Sequence, residues 1–137
     1  MIEMKLKPYA LFLFAVIAVS CQKPLSSDDQ LSAGTVKVTI MYPRNEGSTF
    51  DMDYYSNQHM TMLSDLFDGI MLDYKIDLGT SGRTAEEPAP FMAIGYLYFN
   101  SLSEYQSAFG PNAEKILNDI PNYTNIQPVV QISEVIK

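Results

Sequence analysis

The chain has a single histidine, His59. It lies in the run Phe50-Asp51-Met52-Asp53-Tyr54-Tyr55-Ser56-Asn57-Gln58-His59-Met60-Thr61-Met62-Leu63. Read at helical spacing, Met52, Tyr55, His59, Met62, Leu63 and Leu66 share one stripe, and Asp53, Asn57, Thr61, Ser64 and Asp68 share the opposite one. That is the pattern of an amphipathic helix with one buried face. An imidazole on the apolar stripe has two readings. It is a core side chain held by one hydrogen-bond partner, or it lines a cavity as a catalytic acid/base. In a cavity, desolvation keeps the ring neutral near pH 7 and able to accept a proton. Candidate substrate-binding partners are Tyr42, Tyr96 and Tyr98 on predicted strands, with Tyr55 and Met62 on the helix. The phenols offer hydrogen-bond donors and the methionine an adaptable wall; all five types also serve ordinary packing. Asp51 and Asp53 cap the helix and complement its dipole, or alternatively orient the histidine.

Other chemistries find little support. One histidine and one cysteine make no metal cluster of recognised spacing, and no cofactor is expected. Gly79-Thr80-Ser81-Gly82 lacks the strand-to-helix context of a phosphate loop. The formal net charge is −7, and removing residues 1–20 leaves the chain more acidic still. An acidic chain is a poor partner for nucleic acid, which is gripped through basic side chains.

The elements that must position His59 can be read in order. Val36 to Tyr42 reads as a strand ended by Pro43. The histidine helix is marked by Asp51 as cap, Phe50 and Tyr55 as a hydrophobic staple, and Gly69 as the stop. Leu72, Tyr74, Ile76 and Leu78 alternate with Asp73, Lys75 and Asp77, a half-buried strand. A polar loop, residues 79–90, leads to Phe91–Phe99, which is apolar on both faces. Ser101 and Glu104 form a capping box for a second helix, interrupted at Gly110-Pro111. Ile126 to Ile136 reads as a last strand, with Pro128 at an edge. The order β-α-β-β-α-β is that of ferredoxin-like α+β folds. Two helices cover one sheet face. The other is expected to carry Phe91, Ala93, Leu97 and Phe99, too apolar for water, and so to pair with a second copy as a homodimer.

Residues before the domain read as a leader and tether. Lys5 and Lys7 precede an apolar run, Tyr9 to Val19, too short to span a bilayer and suited to a secretory signal. Ala18-Val19-Ser20-Cys21 resembles a bacterial lipobox, which implies cleavage before Cys21 and lipidation of its thiol. The expected organisation is a signal peptide (1–20), a lipidated cysteine and polar tether (21–35), and one folded domain (36–137) in the cell envelope.

Two segments resemble the EthD family. The first is Val36 to Tyr42 followed by Phe50-Asp51-Met52-Asp53-Tyr54-Tyr55 and His59-Met60. The second is Asp119-Ile120-Pro121-Asn122-Tyr123-Thr124 with the ending Pro128-Val129-Val130-Gln131-Ile132. Where the family commonly has proline after His-Met, this chain has Thr61, which is expected to change the helix just after the histidine. The resemblance implies a dimeric α+β barrel whose ligand sits between sheet and helices. The family takes its name from a protein needed for oxidative ether breakdown beside a cytochrome P450 system, and members are often filed as oxidoreductases. Two functions are therefore expected as alternatives. One is a cofactor-independent oxidoreductase- or isomerase/cyclase-type enzyme on a small hydrophobic oxygenated compound, using His59. The other is a lipid-anchored protein that binds such a compound without chemistry.

Overall fold

The structure, a computed structural model, describes residues 31–137. The expected signal peptide, Cys21 and most of the expected tether lie outside the described residues. The last tether residues are already part of the fold. The Gly34 N–H donates to the Val135 carbonyl and the Val135 N–H to the Thr35 carbonyl, both at 2.8 Å.

Four strands form one antiparallel sheet: β1 (Val36–Pro43), β2 (Asp73–Leu78), β3 (Phe91–Phe99) and β4 (Val129–Glu134), in the order β2-β3-β1-β4. Pro128, which has no N–H for the ladder, directly precedes edge strand β4. Two helical segments cover one face, which completes the α+β, ferredoxin-like arrangement.

Pairing register decides which side chains meet those helices. Val36 pairs with Phe99, Val38 with Leu97, Ile40 with Gly95 and Tyr42 with Ala93. Paired residues share a face. Val38, Tyr42, Ala93, Leu97 and Phe99 are all buried in the core. This overturns the sequence expectation for β3. Ala93, Leu97 and Phe99 face the helices, whereas Tyr96 and Tyr98 face the open side, opposite Thr39 and Lys37. The physical reason is that β3 is apolar on both faces, so alternation along it cannot choose a side. The choice comes from β1 and from Gly95, where any Cβ would collide with the Tyr55 hydroxyl reaching down from the first helix. The open face is mixed, with Lys37, Lys75, Asp73 and Asp77 among Met41, Ile94 and Tyr96.

The first helix runs as Met52–Tyr54, a π-helical turn Tyr55–His59, and Met60–Leu66. Asp51 caps it, its Oδ1 accepting from the Tyr54 N–H at 2.9 Å, and the Phe50 and Tyr55 rings close the staple at 5.1 Å. The π turn holds one residue more than an α turn, so the buried stripe advances by one position beyond it. Leu63 is buried as expected, and Met60 and Phe67 are buried in place of the expected Met62 and Leu66. Met62 is half-buried and packs against the core from outside.

The second helical layer is Leu102–Phe109, a 3-10 turn Gly110–Asn112, Ala113–Asp119, and a closing 3-10 turn Ile120–Asn122. Ser101 accepts from the Glu104 N–H, as the capping residues predict. The chain then returns to the start of the first helix. The Asp51 N–H donates to the Tyr123 carbonyl at 2.8 Å, and the Thr124 hydroxyl donates to the Thr49 carbonyl at 2.7 Å. These two bonds carry Asp119 and Tyr123 to His59.

Candidate functional site

An apolar cavity of about 90 Å³ lies between the helices and the sheet. Val38, Ile40, Leu63, Phe67, Leu97 and Ile116 supply apolar wall, and Tyr42, Tyr55 and His59 also line it. Leu117 and Val130, about half exposed at 54% and 51%, stand on its rim between the second helical layer and β4.

His59 is only 3% exposed, so the imidazole is interior. Its Nδ1 lies 2.7 Å from Asp119 Oδ2. The other carboxylate oxygen, Oδ1, accepts from the Tyr54 hydroxyl and from the Asn122 amide, each at 2.9 Å. Burial raises the Asp119 pKa, but the hydrogen bonds from His59, Asn122 and Tyr54 outweigh it and hold the carboxyl below its ordinary value. An ionised carboxylate only accepts. The Nδ1 atom of neutral His59 is therefore the protonated one, and Nε2 is left as the base. Burial lowers the His59 pKa; the Asp119 hydrogen bond and charge oppose this without cancelling it. A neutral, oriented imidazole results.

Nε2 faces the Tyr123 hydroxyl at 3.4 Å, and that hydroxyl lies 2.8 Å from the Tyr42 hydroxyl. Tyr55 stacks on the His59 ring, with centroids 5.6 Å apart and planes 18° from parallel. Among the described residues, its hydroxyl is the one buried side-chain polar atom without a hydrogen-bond partner. Burial, the first cause at each, pushes Tyr42, Tyr55 and Tyr123 above the ordinary phenol range. All three are neutral donors at any physiological pH.

The expected site residues thus divide. Tyr42, Tyr55 and His59 come together at the cavity. Met62 is displaced from its wall by the π turn, and Tyr96 and Tyr98 stand across the sheet from it. Asp119, Tyr123, Tyr54 and Asn122 were not singled out by residue reasoning. Their signal lay in the second of the two family-like segments, Asp119 to Thr124, which the fold brings against the first. Among the described residues no group of three His, Cys, Asp or Glu side chains is placed to hold a metal.

No protein-family model matches the sequence, and no curated protein matches it. Solved structures do. An EthD-like protein from Ralstonia eutropha JMP134 shares 36% identity, with 77% of this chain and 96% of that one aligned at a TM-score of 0.73. This chain belongs to the EthD family. An EthD (ethyl tert-butyl ether D) family protein from Bacillus halodurans C-125 has the same fold at 18% identity. It aligns over 74% of this chain and 99% of its own, with a TM-score of 0.53. Thr61, where the EthD pattern commonly has proline, is exposed on the helix just after the π turn, away from the cavity wall.

Proposed function

We propose that this EthD protein binds a small, mainly apolar, oxygen-bearing molecule in the cavity and moves a proton from it, with His59 as the acceptor. The observation that carries this reading is the buried His59–Asp119 pair, closed at 2.7 Å beside an otherwise apolar cavity. A carboxylate fixes the tautomer and stabilises the imidazolium that forms on proton uptake. Removing a proton from an activated ring compound is the entry step to its isomerisation or oxidation, and this chain's residues supply that step without a cofactor. The apolar wall selects for ring or alkyl bulk. The hydroxyls of Tyr42 and Tyr55 supply recognition of oxygen.

The setting proposed for this chemistry is the cell envelope. Cys21 carries lipid, the residues between it and Gly34 act as a tether, and a second copy covers the open sheet face through Met41, Ile94, Tyr96 and their neighbours. Native mass spectrometry of the purified protein tests the setting and the pocket together. A dimer carrying a copurified organic compound is expected. A bare monomer would overturn the shared-sheet arrangement. For the chemistry, His59→Ala should retain the copurified compound and lose its turnover. A variant that turns it over at the original rate would make this protein a passive binder.

A further inference from the structure

Resting on that reading of the cavity, we infer that His59 does not meet the ligand directly. The Tyr42 hydroxyl is the group that exchanges a proton with it, and Tyr123 is the relay between Tyr42 and the imidazole. Three distances make the chain: Tyr42 to Tyr123 at 2.8 Å, Tyr123 to His59 Nε2 at 3.4 Å, and His59 Nδ1 to Asp119 at 2.7 Å. Tyr42 and His59 both line the cavity and Tyr123 does not. Both imidazole nitrogens nevertheless face protein partners, Nδ1 the Asp119 carboxylate and Nε2 the Tyr123 hydroxyl, so the Tyr42 oxygen is the group of this chain left to meet a ligand proton.

The direction of each bond follows from the far end. Asp119 accepts only, so Nδ1 donates; Nε2 then accepts, so Tyr123 donates to it; the Tyr123 oxygen is left to accept, so Tyr42 donates. With its proton committed inward, the Tyr42 oxygen is left as an acceptor for a ligand proton. A ligand O–H breaks and its proton bonds to the Tyr42 oxygen. The Tyr42 proton passes to Tyr123, and the Tyr123 proton passes to Nε2. The products are an imidazolium against the Asp119 carboxylate and a ligand oxyanion, with both phenols neutral throughout. The 3.4 Å link is the loosest of the three, and charge arriving on the imidazole shortens it.

Tyr55 completes the assignment. Its hydroxyl is buried without a partner, an arrangement that costs ~1–3 kcal/mol in general. It stands over Gly95 beside Ile40, itself part of the cavity wall. An unused donor there suits the oxyanion that the relay creates. The ligand class is then a small apolar hydroxyl compound of phenol or enol type, acidic enough to give up its proton.

The test uses 2,4-dinitrophenol as probe, a phenol more acidic than the imidazolium it would create, whose absorbance distinguishes bound phenol from bound phenolate. His59 supplies the second readout, because the only histidine of the chain gives one unambiguous imidazole signal set by NMR. In the unaltered protein the bound probe should be phenolate and His59 an imidazolium. Tyr123→Phe and Tyr42→Phe should each bind the probe as neutral phenol with neutral His59. The phenolate-to-phenol ratio should drop by about tenfold or more, one pK unit. Both variants leave the imidazole in place, and the same signal reports whether it keeps its buried environment. An unchanged ratio in both, with loss only in His59→Gln, would show that the imidazole meets the ligand itself. A bound probe with neutral His59 in the unaltered protein would overturn the relay and leave the pocket standing. No binding at all would overturn the pocket reading, and the relay with it.

Discussion

The two faces of the sheet put the same residue type to different uses. On the helix side, Tyr42 is buried against Tyr55 and Tyr123, with its hydroxyl paired inside the protein. On the open side, Tyr96 is half-buried, with Lys37 Nζ 5.9 Å from its ring centroid. Burial, with smaller contributions from Asp77 and Tyr98, pushes the Tyr96 pKa up to about 12. The difference teaches that a tyrosine on a strand acquires a chemical role from the layer above it. The helices exclude water and bring the dyad. The open face offers charges and solvent.

The comparison breaks most visibly at the core. Phe99→Ala, in which a fully buried side chain under the helices is lost, should cost ~3–5 kcal/mol of stability. Tyr96→Ala on the open face should cost well under half of that in the same urea titrations. Equal losses would mean that the open face is covered as firmly as the helix face.

Gly95 tests the helix side from the backbone. A methyl group there collides with the Tyr55 hydroxyl, and Gly95→Ala should cost ~1–3 kcal/mol as overpacking. Removing that oxygen with Tyr55→Phe should recover most of the loss in the double variant, read by thermal melting. Additive losses would show that something other than the hydroxyl makes Gly95 necessary.

Acid sharpens the contrast further, because the helix side holds the titrating pair. His59 has its pKa lowered from 6.5 on folding, so the unfolded chain binds the proton first. Its stabilising contribution is full above 6.5 and declines as pH falls below that value. Asp119, lowered from 3.8, adds a second loss in more acidic solution as pH falls below that value. Stability should therefore fall in two steps on acidification, and His59→Gln should flatten the first. A first step that survives in His59→Gln would place its origin elsewhere.

The smallest expected effect is spectroscopic. In alkaline absorbance titration, Tyr96→Phe should remove one phenolate transition near pH 12, and Tyr42→Phe should remove none at or below it. Loss of the same transition in both would mean that the two faces differ less than their burial indicates.

The amino-acid sequence by itself determined the order β-α-β-β-α-β, the caps at Asp51 and Ser101, the break at Gly110-Pro111, and the interior placement of His59. These are local matters, set by turn chemistry and by apolar spacing within a few residues. Tertiary structure decided three others. The side of β3 that turns inward was fixed by pairing with β1 and by room for Tyr55, since a strand apolar on both faces carries no internal preference. After His59 the buried stripe took in Met60 and Phe67 beside the expected Leu63, in place of Met62 and Leu66, because a π turn adds a residue that α-helical counting does not include. The partners of His59 came from Asp119 and Tyr123, some sixty residues further along the chain. No spacing rule reaches across that distance; only the return of the chain from the second helical layer to Asp51 brings them into contact.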